Sequence, residues 1–140
     1  MGMLTAAIVL WLCAFALNLL WEFGHCRLYR TCRQLSPRRR VRLLTTMSAK
    51  DAALVVVFYL LTAVLFGTAD ITSTSGALLF FSGLGLIFAA VAETVSIRLG
   101  RWEYTPAMPT VLGVGLSPLL ELVITGLTAV IVTFHLLPRP

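Results

Sequence analysis

The chain of 140 residues has a formal net charge of +5, yet 59% of its residues are hydrophobic and only 12% are charged; its mean hydropathy is +0.93. That balance excludes an ordinary water-soluble domain and a disordered chain, and it points to a lipid bilayer as the solvent. Little length remains beside the apolar runs for a separate soluble domain, so the expectation is one all-α, polytopic membrane bundle.

Four apolar runs, residues 4–21, 52–69, 77–97 and 118–137, are each long enough at about 1.5 Å per residue to cross a hydrocarbon core of roughly 30 Å. They are predicted to be transmembrane helices, because an open sheet would leave backbone groups unpaired in lipid. The first run has no basic residue before it and no small-x-small cleavage site after it, so it is predicted to be retained rather than removed as a signal. It ends in NLLWEFGHCRLY, which spaces Asn18, Glu22 and His25 by four and three residues and places them on one helical face.

Residues 26–50 are read as a basic loop, with a turn at Ser36-Pro37 and a short surface helix after it. Asp51, close to Ser48, is expected to mark the start of the second helix. GTADITSTSG reads as a short polar connector, and SGLGL in the third run supplies small residues for close helix approach. Residues 98–117 contain Pro106, Pro109, Gly113 and Gly115. They are too broken for a helix and too apolar for a plain loop, so they are expected to lie along the interface or to re-enter the bundle in part. Ser117 is then predicted as an N-cap and Pro118 as the first helical residue. This would put Glu121 in the first turn, where free amides and the positive helix end stabilise a carboxylate.

Charge placement sets an expected orientation. Arg27, Arg30, Arg33, Arg38, Arg39, Arg40, Arg42 and Lys50 lie between the first two runs, Arg98 and Arg101 between the last two, and only Arg139 lies on the other side. The positive-inside rule therefore predicts an N-out, C-out four-helix bundle in the inner (plasma) membrane, with anionic headgroups rather than nucleic acid against the basic loops. Cys26 and Cys32 then face the reducing cytoplasm. With no CxxC pair present, neither a disulfide nor a zinc-thiolate site is expected.

On this topology Glu22, Asp51, Glu93, Glu103 and Glu121 all fall in the cytoplasmic half, and Asp70 alone falls outside it. Intramembrane carboxylates require a partner or a wet cavity, so the helices are expected to line a polar pocket there. Simpler roles compete. Glu22 could pair with Arg27 or Arg30, Glu93 with Arg98 or Arg101, and Trp21, Tyr29, Trp102 and Tyr104 could form an aromatic belt. Asn18 and Glu121 are the hardest to account for by pairing or a belt, although a place in the first helical turn makes Glu121 less costly. Glu22-x-x-His25 resembles half of the di-iron bundle signature, but that signature requires a second pair. A metal held by Glu22, His25, Glu93 and Glu121 stays an alternative, but none is assigned, and the cofactor is left open.

The run GRWEYTPAMPTVLGVGLSPLLEL, residues 100–122, resembles the small integral-membrane lycopene cyclase and carotenoid-biosynthesis proteins. Gly100, Trp102, Tyr104, Gly113, Pro118 and Glu121 take the positions of that family's glycine, aromatic, proline and carboxylate pattern, with Glu93 in the preceding helix. Where the family carries paired acids after the proline, Leu119 and Leu120 precede a single Glu121 here. The patterns N-x-x-W-E, G-x-W-x-Y, M-P and G-L-S-P-L-L also resemble small four-span bacterial membrane proteins without an assigned function. The cyclase resemblance implies an isoprenoid substrate and carbocation chemistry started by a carboxylic acid. It implies Glu93, Glu121 and Glu22 as catalytic groups, with Trp21, Trp102 and Tyr104 along the cation path. Asn18, His25 and Pro118 complete the implied substrate site.

Two other classes remain. The same acids could relay protons or bind a cation in a transporter or channel subunit built by homo-oligomerisation. Alternatively, the buried polar groups could only fix helix register in an accessory membrane protein.

Overall fold

A computed structural model describes residues 2–136. The expected end of the fourth run at Leu137, and Arg139, lie outside the described residues. Helix α1 spans Met3–His25, a short helix α2 spans Arg30–Arg33, α3 spans Pro37–Phe66 and α4 spans Ser75–Arg98. A two-stranded hairpin follows, β1 (Thr110–Val111) paired antiparallel with β2 (Val114–Gly115), and α5 spans Leu116–Ile131 before a wider turn at Val132–Leu136. Four of these helices are long and apolar enough to cross a membrane. The fold is therefore the all-α bundle expected of a multi-pass membrane protein.

Small residues set the helix spacing. Ala14, Ala52, Ala77 and Ala129 are fully buried in the core, where they let backbones approach and leave room for Leu10, Tyr59 and Phe81. Gly126 of α5 shows how tight this packing is, since a Cβ there would lie 3.2 Å from the Phe81 ring of α4. Large apolar side chains such as Leu20, Val64, Leu79 and Ile87 instead face outward, as a lipid-facing surface requires.

Three boundaries differ from expectation. α1 continues through Glu22 to His25. α3 begins at Pro37, not at residue 52, so most of the predicted basic loop is helix and Asp51 lies midway along a 30-residue element. Arginine is a good helix former and proline suits a first turn, so the basic run extends the helix beyond its apolar part. α5 begins at Leu116 after Gly115, which makes Ser117 and Pro118 its second and third residues and moves Glu121 to the second turn. Ser117 is not the cap, and the first turn holds no acid.

Residues 98–117 fold back over the bundle end where α1 and α4 finish and α5 starts. The backbone of this segment clips to the chain after α1, through Arg30 N to Glu103 O at 2.8 Å and Thr105 N to Leu28 O at 2.9 Å. Its hairpin turns through Leu112 and Gly113, both at positive φ (52° and 80°), the backbone of a two-residue turn with primed geometry. Cys26 and Cys32 are joined in a disulfide across a separation of 6 residues, contrary to expectation. Spacing alone did not indicate it, because the 3-10 turn at Cys26–Leu28 and α2 bring the Cα atoms to 5.6 Å, within the bonding range.

Candidate functional site

At this end of the bundle lies a cavity of about 340 Å³, walled by Leu44, Met47, Phe88, Ala92 and Leu122 and edged by Thr31, Leu43 and Arg101. Into it come Glu22 and His25 from α1, Asp51 from α3, Glu93 from α4, Trp102 from the folded-back segment, and Pro118 and Glu121 from α5. α1 delivers its pair because Ala6, Leu10, Ala14, Asn18, Glu22 and His25 form one continuous buried face.

His25 sits between two carboxylates. Its Nε2 is 3.1 Å from Glu22 Oε2, and its Nδ1 is 2.9 Å from Ser117 Oγ and 3.8 Å from Glu121 Oε2. Glu121 is 5% exposed, and its Oε1 is buried with no hydrogen-bond partner. Among the described residues, no arginine or lysine lies within ion-pair distance of Glu22 or Glu121. Arg30 instead pairs with Glu103 at 2.7 Å on an exposed surface. Glu22 is thus a partner of His25 and not of Arg27 or Arg30.

Glu93, equally buried at 5%, is supplied very differently. Its Oε1 accepts from Tyr29 Oη at 2.8 Å and Tyr104 Oη at 2.7 Å, and its Oε2 accepts from Trp102 Nε1 at 3.1 Å. Neither Arg98 nor Arg101 pairs with it among the described residues. Tyr104 is fixed in turn by the Gly115 N–H, which donates to its oxygen at 2.8 Å; a Cβ at Gly115 would come within 3.1 Å of that phenol. Burial first, and then the Glu93 carboxylate, push the Tyr29 and Tyr104 hydroxyls well above the ordinary tyrosine range, so both remain donors.

Of the residues marked from sequence, Glu22, His25, Glu93, Trp102, Pro118 and Glu121 line the cavity, whereas Asn18, Trp21 and Tyr104 do not. Tyr104 acts through Glu93. Asn18 lies one turn below Glu22, donates to Ala14 O at 2.9 Å and accepts from Thr125 Oγ1 at 2.8 Å, so it ties α1 to α5. The Trp21 indole N–H is buried without a partner. Tyr29, Ser117 and Asp51 received other roles from sequence. A signal existed for Asp51: Leu44, Ser48, Ala52 and Val55 recur at helical spacing and are all buried, so the helix face can be followed back past Asp51.

The fold and site together define a class, a multi-pass helical membrane protein with a buried carboxylate–imidazole cluster at one end. No protein-family model, curated protein or solved structure matches the chain.

Proposed function

We propose that this protein is a membrane-embedded enzyme that moves protons on an apolar, lipid-borne substrate held in the cavity. The observation that carries the reading is Glu121, a buried carboxylate at the wall of an apolar cavity with one oxygen unpartnered and an imidazole beside the other. A carboxyl in such surroundings exchanges a proton with substrate, and His25, oriented by Glu22 and Ser117, returns it. Glu93 has a separate task. Three donors already occupy its oxygens, so it holds Trp102 and Tyr29 at the cavity lining, where an aromatic ring face turned to substrate would stabilise a developing cation.

The isoprenoid form of the proposal rests on the cyclase resemblance of residues 100–122. The arginines gathered near this end, from Arg27 to Arg42 with Arg98 and Arg101, support a cytoplasmic orientation against anionic headgroups and N-out, C-out termini in the plasma membrane.

The test is a comparison of lipid extracts from a polyene-producing host with and without the protein. Wild type should change the polyene composition, and Glu121→Gln should abolish the change while the protein remains folded in the membrane. An unchanged extract with wild type sinks the isoprenoid reading, and unchanged activity in Glu121→Gln removes Glu121 from the mechanism. Loss of proton-coupled uptake in the same variant, with lipids unaltered, would favour a carrier.

A further inference from the structure

Glu22, His25 and Glu121 each offer one ligand-type atom, and the three atoms lie within 4.8 Å of one another. Two buried carboxylates share a single imidazole, so with both ionised even a charged ring leaves one negative charge, which either protonation of one carboxyl or a bound cation removes. A dication would balance the pair with the imidazole neutral. A buried charge without such compensation is strongly unfavourable. Independently, Glu121 Oε1 is buried with no hydrogen-bond partner, in a residue only 5% exposed that lines the cavity. A coordination bond satisfies that oxygen without any further side chain.

We infer that Glu22, His25 and Glu121 form a mononuclear site for a divalent first-row transition ion of the zinc or manganese class. The inference rests on the cavity being the working site and goes beyond the reading above: with an ion bound, Glu121 and His25 would serve as ligands, and the proton exchange assigned to them would pass to a metal-bound water. The ligand set selects the class. One imidazole with two carboxylates suits such ions, whereas magnesium and calcium favour all-oxygen shells and copper(I) favours thiolates. Cys26 and Cys32 are tied to each other and offer no thiolate. Ligands about 2.0 to 2.2 Å from a metal sit roughly 3.4 Å apart, so the three atoms, already within 4.8 Å of one another, need an ångström-scale approach to share an ion. With Nε2, the nitrogen beside Glu22, on the ion, Nδ1 retains Ser117 Oγ as its partner, and that partner fixes the ring plane. Three protein ligands leave a coordination position open towards the cavity, where the ion would polarise a substrate oxygen or a bound water. Glu93 is not a ligand, because it stands outside the cluster of close ligand atoms and both of its oxygens already accept from Tyr29, Tyr104 and Trp102.

The experiment uses the full chain without a polyhistidine tag, purified in detergent and stripped with EDTA. It is titrated with Zn²⁺ and separately with Mn²⁺ under equilibrium dialysis, and bound metal is read by mass spectrometry. Wild type is expected to take up one ion per chain at micromolar or tighter concentration. Glu121→Gln, nearly isosteric, and His25→Ala should each weaken uptake by about 100-fold or more. Glu103→Gln, at an exposed carboxylate, and His135→Ala should retain wild-type stoichiometry, with helicity checked by circular dichroism in every variant. Absence of stoichiometric uptake by wild type overturns the site, and so does unaltered uptake by folded Glu121→Gln. Lipid product formed by the EDTA-stripped protein would overturn the metal while leaving the acid–base reading standing. Stoichiometric metal without any lipid product would do the reverse.

Discussion

Glu93 and Glu121 are the same residue type, equally buried at 5%, lining one cavity, yet their surroundings are opposite. Glu93 receives three side-chain donors on its two oxygens. Glu121 receives none on Oε1, and only an imidazole approaches Oε2, at 3.8 Å. A saturated carboxylate is a structural rivet, because removing it strands every donor that points at it. An unsaturated one is free to exchange a proton or bind an ion. Burial and residue type together do not separate the two cases; the supply of donors does.

The sharpest way to break this comparison is to remove each carboxylate in turn in the metal-free protein. Glu93→Ala leaves two phenols and an indole N–H unpaired, and should lower stability by about 3 to 5 kcal/mol in detergent unfolding. Glu121→Gln should change it by less than about 1 kcal/mol in either direction. Equal losses would erase the distinction.

The next effect concerns the Cys26–Cys32 disulfide, which brackets Tyr29, one of the donors to Glu93. Replacing both cysteines with serine should cost roughly 2 to 3 kcal/mol. In the oxidised protein, alkylation should label Cys13 and spare the other two of the chain's 3 cysteines until reductant is added. Labelling of all three without reductant would remove the staple from the account. Because an oxidised pair is unusual on a cytoplasmic face, the same labelling with a membrane-impermeant reductant also tests the orientation proposed from the arginines.

Beneath the Glu121 side of the cavity, Asn18 and Thr125 join α1 to α5. Breaking that bond in Asn18→Ala should cost about 1 kcal/mol, with a coupling near 0.6 kcal/mol in a double-mutant cycle with Thr125→Val. A null coupling would mean that the Glu22–His25–Glu121 arrangement does not depend on this tie.

The smallest effect is one of pH. Tyr29 and Tyr104 have hydroxyls raised above the ordinary tyrosine value of 10.0. The folded state therefore holds these protons more tightly than the unfolded chain. The corresponding stability is complete below pH 10 and is lost progressively as pH rises beyond it. Alkaline unfolding of Tyr29→Phe should accordingly show a shallower pH slope than wild type, and an identical slope would mean that burial and the Glu93 carboxylate do not hold the phenol in its neutral form.

The contrast between the carboxylates also marks how far the sequence could be read. Asn18, Glu22 and His25 were legible as one face because helical spacing is local information, and the structure keeps them on one buried face. Glu93's partners were not legible. Tyr29 is 64 residues away, and Trp102 and Tyr104 reach back only because the segment after α4 folds over the bundle end. Ser117 is a good N-cap by type, but Gly115 takes the cap and Ser117 turns to His25, 92 residues earlier. With α5 starting at Leu116, Glu121 lies beyond the first turn and has no free helix amides to offset its burial. The sequence reading made Glu121 inexpensive; the fold leaves it underserved.

The sequence by itself determined that the chain lives in a bilayer as helices, because hydropathy and run length are properties of consecutive residues. It also determined that carboxylates cluster at one end, since chain order and the alternation of spans place them there. Only the tertiary structure decided which carboxylate is satisfied and which is not, and that two cysteines meet. Those outcomes depend on ångström-scale approaches between segments far apart in the chain, which no local pattern encodes.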